Sequence, residues 1–131
     1  MSSKIIIKIK SLLEEINQIA NEMTNVSNMV DGYFGVTHRK CGKPNCRCSG
    51  KEEKGHPFMR IVYSEQNKMK TKVIPQKDKE WIKKMTDNYR NYKQNFQKLR
   101  LCNKELYELL KKHELNVRTK TRGEKDYLKT T

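Results

Sequence analysis

With 131 residues and a mass of 15.6 kDa, the chain has room for one compact domain or one elongated helical element carrying a small module, not for two independent cores. Hydrophobic and charged residues each make up 34%, and the mean hydropathy of −0.99 means that any core is narrow. The balance of 29 Lys and Arg against 15 Asp and Glu gives +14 and a sequence pI near 9.7, a surface that seeks polyanions.

The first element is a helix over Lys4 to Val30. Its apolar side chains recur at alternating spacings of four and three: Ile5, Ile9, Leu12, Ile16, Ile19, Met23, Val26 and Val30. That is a heptad seam. Asp31-Gly32 supplies a plausible stop, since glycine accepts the left-handed conformation that ends a helix. The aliphatic run Ile5 to Ile7 is broken by Lys8 and Lys10, far short of spanning length, and no small-residue cleavage site follows it. The expected location is therefore cytoplasmic, with nucleoid association consistent with the charge, and no membrane partner.

The sharpest chemistry comes next, in Cys41-Gly42-Lys43-Pro44-Asn45-Cys46-Arg47-Cys48. Three cysteines this close, in a chain with no export signal, point to metal rather than disulfides. Three thiolates and an imidazole make a tetrahedral Cys3His site, so the expected cofactor is Zn2+ held by Cys41, Cys46, Cys48 and His56. His38 is also near enough to serve. His56 is favoured because it opens the following hairpin, which ligation would staple. Lys43 and Arg47 are expected to stabilise the thiolates. An iron–sulfur cluster would want a fourth cysteine, and Cys102 reads instead as a small buried hydrophobe far along a helix. His113 reads as a helix-end residue without a second ligand spaced to it.

Phe58 to Tyr63 and Met69 to Ile74 are expected as a β-hairpin with the polar connection Ser64 to Lys68. A lone hairpin is marginal in water, hence the need for a staple. After Pro75 a second helix is expected, with Asp78 as a cap and Trp81 near its first buried position. Its seam is Met85, Tyr89, Tyr92, Phe96, Leu99, Asn103, Leu106 and Leu110. The two seams match in number of layers, so the helices are expected to pair antiparallel, with Val30 facing Met85 and Leu12 near Asn103. Asn103, if buried, would fix the register. Beyond Leu115 the apolar pattern stops.

The expected layout is thus an N-terminal coiled-coil helix over residues 1–31 and a zinc knuckle with β-hairpin over 32–76. A C-terminal coiled-coil helix follows over 77–114, then a basic flexible tail over 115–131. The fold class is mainly α, two long helices as an antiparallel coiled coil flanking the knuckle and a small hairpin.

The cysteine motif, the stretch Gly55 to Phe58, the hairpin running to Val73-Ile74-Pro75, and Trp81 through Asn88-Tyr89-Arg90 resemble a small uncharacterised family. Its members are bacterial and archaeal domains of unknown function associated with mobile elements. Where the family shows His-Gly-Pro-Tyr, this chain has Gly55-His56-Pro57-Phe58. The resemblance supplies no activity; it implies an accessory role in a mobile element.

Basic residues cluster on this framework. Arg39, Lys40, Lys43, Arg47, Lys51 and Lys54 crowd the knuckle; Arg60, Lys68, Lys70 and Lys72 line the hairpin. Lys79, Lys83, Arg90, Lys93, Arg100, Lys104 and Lys111 share one stripe of the second helix, and a one-signed stripe costs self-repulsion that phosphates would relieve. Among the interleaved aromatics, Phe34 is expected to stack on an unpaired base. No phosphate-cradling glycine loop, metalloprotease helix or serine elbow is present. The expected function is non-catalytic, zinc-stabilised binding of nucleic acid, DNA or RNA. The rival is a coiled-coil adaptor for a recombinase, transposase or nuclease, with homo-oligomerisation through the seams as a further option; a thiol or metal enzyme ranks third.

Overall fold

The computed structural model describes residues 2–51, 53 and 55–129. The chain is mainly helical: helix α1 spans Ser2–Thr24, strands β1, β2 and β3 span Tyr33–Arg39, His56–Glu65 and Lys68–Val73, and helix α2 spans Lys79–Gly123. No helix among the described residues is long and apolar enough to cross a membrane. Two compact units divide the chain. One contains residues 26–92; the other, the helical unit, contains α1 and the part of α2 from Lys93 onward.

In the helical unit, α1 buries the expected seam. Leu12, Ile19 and Met23 are buried, and Ile5, Ile9 and Ile16 are half-buried. The helix ends at Thr24 rather than Val30. The Thr24 hydroxyl donates to the Asn21 carbonyl at 3.0 Å, and Asn25, Ser27 and Asn28, which follow, are residue types that disfavour a helix interior.

The seam of α2 departs from expectation by one residue at alternate layers. Cys102 and Leu109 are buried, whereas Asn103, Leu110 and Phe96 are exposed. Either neighbour of a heptad core position can turn inward, because the helical period of 3.6 drifts against a 3.5 repeat. At 102/103 the choice follows from chemistry: cysteine behaves as a small hydrophobe, while a buried amide needs partners. Asn103 therefore fixes no register. The carboxylate of Glu15 lies beside the Cys102 thiol.

The helix also continues to Gly123, through residues expected to form a flexible tail. No glycine or proline interrupts positions 115–122, and Arg118 pairs with Glu114 at 3.3 Å. All residues of this last stretch are exposed.

In residues 26–92 the expected hairpin is present as β2 and β3, and β1 adds a third strand to give an antiparallel sheet of order β1-β2-β3. β1 was hidden by Gly35, which weakens a strand, although Tyr33, Phe34, Val36 and Thr37 carry the β-branched and aromatic signal around it. Pairing with β2 in the register Gly35↔Arg60 stabilises it. The β2–β3 connection is a two-residue turn with Gln66 at φ 51° and Asn67 at φ 64°, the twist of a type I′ hairpin. The core of this unit comprises Met59 and Ile61 from β2, Ile82, Met85 and Thr86 from the start of α2, and Cys48. Trp81 is 55% exposed and Ile82 takes the buried position instead. The Val30 amide donates to the Met85 carbonyl at 3.1 Å, so these two residues do face each other, through backbone rather than through a helical seam.

Candidate metal centre

β1 ends at Arg39, and β2 begins at His56 directly opposite it. The loop between them therefore starts and finishes at one end of the sheet. Cys41 leaves β1, and Gly42 turns the chain at φ +82°. The Cys46 amide donates to the Lys43 carbonyl at 3.1 Å and the Ser49 amide to the Cys46 carbonyl at 3.0 Å, coiling Arg47–Ser49 into a single 3₁₀ turn. The Ser49 hydroxyl reinforces that turn through the Cys46 carbonyl at 2.7 Å. Gly55, at φ +93°, closes the loop. A Cβ there would run into the backbone of Arg39 and Lys40, so this close approach and this backbone angle both demand glycine.

These turns bring the ligand atoms of Cys41, Cys46, Cys48 and His56 within 4.8 Å of one another. The Cys41 and Cys48 sulfurs lie 3.4 Å apart, and the Cys46 sulfur lies 3.1 Å from His56 Nε2. A tetrahedral zinc with Zn–S bonds of about 2.3 Å has S···S edges of about 3.8 Å, so the cluster is already at ligation scale. The four groups could hold a metal ion. His38, the alternative fourth ligand, is exposed on β1 opposite Pro57 and is not in the cluster.

The thiols are electrostatically unlike. The Cys48 amide, then the neighbouring thiols and His56, lower the Cys46 thiol to about 6, making it a thiolate at neutral pH. At Cys48 the amide of Cys41 donates to the sulfur at 3.3 Å, which favours the thiolate, but burial and the adjacent thiols outweigh it and push the group upward. Lys43 and Arg47, expected to stabilise these thiolates, are exposed and absent from those causes. Lys40 braces the loop instead, its ammonium donating to the Gly50 carbonyl at 2.9 Å. Lys54 lies outside the described residues.

Within residues 26–92 the basic residues expected to contact nucleic acid do not share one surface. Arg39, Lys43 and Arg47 are exposed around the loop. Arg60 is half-buried on one face of β2, while Lys70 and Lys72 stand on the other. Lys70 pairs with Glu65 at 3.2 Å, and the Lys72 ammonium sits 5.8 Å from the centre of the Tyr63 ring. Lys83, Arg90, Lys93, Arg100 and Lys104 are exposed on α2, Arg90 within 3.5 Å of Asp87. Phe34 is half-buried opposite Ile61, a packing position rather than a base-stacking one. Its neighbour Tyr33 is exposed instead. A loop held by Gly42 and Gly55 was foreshadowed only by the spacing of those glycines around the cysteines.

No curated protein and no solved structure matches the chain. The model of a family described as a domain of unknown function, DUF6788, matches residues 8–84, which include α1 from Lys8, the whole sheet, the cysteine loop and the start of α2. The chain belongs to that family.

Proposed function

We propose that the chain is a zinc-stabilised, non-catalytic nucleic-acid-binding protein. The carrying observation is the convergence of Cys41, Cys46, Cys48 and His56 at one end of a sheet in a chain of charge +14. Four protein ligands complete a tetrahedral shell and leave no position for substrate, the pattern of a structural zinc. Soft thiolates with one imidazole favour zinc over harder cations. The ion would tie the loop to both β1 and β2, and the loop carries Lys43 and Arg47 beside it. Phosphates are the polyanions such a surface meets most effectively.

Two measurements test this. Purified protein should carry one zinc per chain by elemental analysis. Binding to DNA and RNA should weaken with salt; about five phosphate contacts correspond to a slope of about −4.5 in log affinity against log salt on duplex DNA. Protein without stoichiometric metal, or without salt-dependent binding to any nucleic acid, contradicts the reading.

A second reading, self-association or adaptor docking through the helices, is favoured by one observation. Ile6 and Leu13 are exposed seven residues apart on α1, and Phe96, Leu110 and Val117 are exposed at spacings of fourteen and seven along one line of α2. If α1 and α2 pair antiparallel, these lines form a second apolar strip beside the buried seam. Sedimentation equilibrium distinguishes a dimer from a monomer.

A further inference from the structure

The two faces of the sheet are unlike. Met59 and Ile61 point to the buried face. Side chains alternate along a strand, and residues in register across strands share a face. The opposite face therefore carries Tyr33 and Gly35 from β1, Phe58, Arg60 and Val62 from β2, and Val73 from β3. Tyr33 is 59% exposed, Phe58 37% and Val73 65%.

Tyr33 stands opposite Val62, and Phe58 lies four residues along β2 from there. At about 3.3 Å per residue the two aromatics are about 13 Å apart along the strand direction, too far to pack on each other. Between them lies the row Gly35–Arg60–Val73. The space above Gly35 is open, with nothing within 4 Å of where a Cβ would sit. Arg60 is half-buried there and makes no ion pair among the described residues. The same face reaches Arg39, opposite His56, at the end that carries the metal loop.

We infer that this face, with Tyr33 and Phe58 flanking Arg60, is a stacking platform for unpaired bases of a single-stranded nucleic acid. The inference deepens the nucleic-acid reading and rests on it. An acidic peptide would use the arginine but not two separated rings. A paired duplex hides the π-faces that rings stack on, whereas a single strand offers them, with the phosphates of the stretch between the two stacked bases passing Arg60. The open floor at Gly35 lets a flat group approach the sheet, and the charge of Arg60 and Arg39 complements the backbone.

The test uses the metal-loaded full chain with mixed-sequence single-stranded DNA and RNA oligonucleotides and a matched duplex. Tyr33→Ala and Phe58→Ala should each weaken single-strand binding on the order of tenfold and leave duplex binding within about twofold. Tyr33→Phe should retain affinity, because the ring does the stacking. Unchanged melting temperature and metal content establish that the variants fold. Unchanged single-strand affinity in both alanine variants, or equal losses on single strand and duplex, overturns the platform. If the unmodified protein binds duplex but not single strands, the platform falls and the nucleic-acid reading stands. If it binds neither, both fall.

Discussion

In residues 26–92 the buried hydrophobic side chains are Cys48, Met59, Ile61, Ile82 and Met85; in the helical unit they are Leu12, Ile19, Met23, Cys102 and Leu109. Both sets are small. The first unit brings to one point four side chains that could hold a metal ion, and the second repeats modest apolar contacts along helices. A point constraint fails all at once when one of its members is lost, because the others cannot satisfy the ion alone. A repeated contact fails layer by layer, at a cost set by the area each layer buries. The two units should therefore respond to perturbation in different ways.

Chelation, or Cys46→Ser, should produce the largest separation. Metal content should fall to near zero, and amide exchange protection across β1, β2 and β3 should be lost, since the loop joining β1 to β2 would no longer be fixed at both ends. Amides of α1 and of α2 beyond Lys93 should keep most of their protection. Hydrogen exchange read by mass spectrometry resolves the two regions. Loss of protection everywhere at once would mean that the units are one cooperative structure, and full retention would remove the ion from the folding account.

The next effect is smaller and confined to the helices. Leu109 is 9% exposed and its neighbour Leu110 47%. Leu109→Ala should destabilise by about 2 kcal/mol, the low end for a core leucine, whereas Leu110→Ala should cost about 0.5 kcal/mol or less in the isolated chain. Urea melts followed at a helical band measure both. Equal costs would return the seam to the Asn103 and Leu110 register. A large cost at Leu110 that grows with protein concentration would instead point to a partner on that line.

These two responses also explain what was legible from the sequence. The cluster that could hold a metal was readable because metal chemistry accepts few residue types, so Cys41, Cys46, Cys48 and His56 stand out whatever the fold around them. The choice of His56 over His38 followed from its place at the start of a strand. Heptad patterns carry less information at each position. Leu109 and Leu110 are chemically identical, and only packing decides which one is buried. The end of α1 at Thr24 was obscured because Val26 and Val30 continue the apolar rhythm without being helical. β1 was missed because its stability comes from β2, a contact across roughly twenty positions that no local signal contains. The α2 extension to Gly123 was missed for the converse reason: with no glycine or proline before Gly123, Leu115, Arg118, Lys120 and Arg122 carry the helix on after the apolar pattern has stopped.

The smallest expected effect concerns Cys102, the cysteine that belongs to the helical unit. Burial raises its thiol above the ordinary 9.0, and the Glu15 and Glu105 carboxylates add to the rise. A thiol raised in the folded state is harder to ionise there than in the unfolded chain. Its contribution to stability is therefore fully present below 9.0 and is lost as pH rises through the raised folded value. Cys102→Ala removes that titration at the cost of a small side chain, about 1 kcal/mol or less. Melting profiles between about pH 7 and about pH 10.5 should run parallel at the acid end and converge as pH rises, because only the unsubstituted protein carries this alkaline loss. The two proteins differ only at this position, so the difference between the profiles isolates the thiol. Profiles that stay parallel throughout would place Cys102 in contact with solvent, and the buried seam of α2 would then have to be drawn through a different residue at that layer.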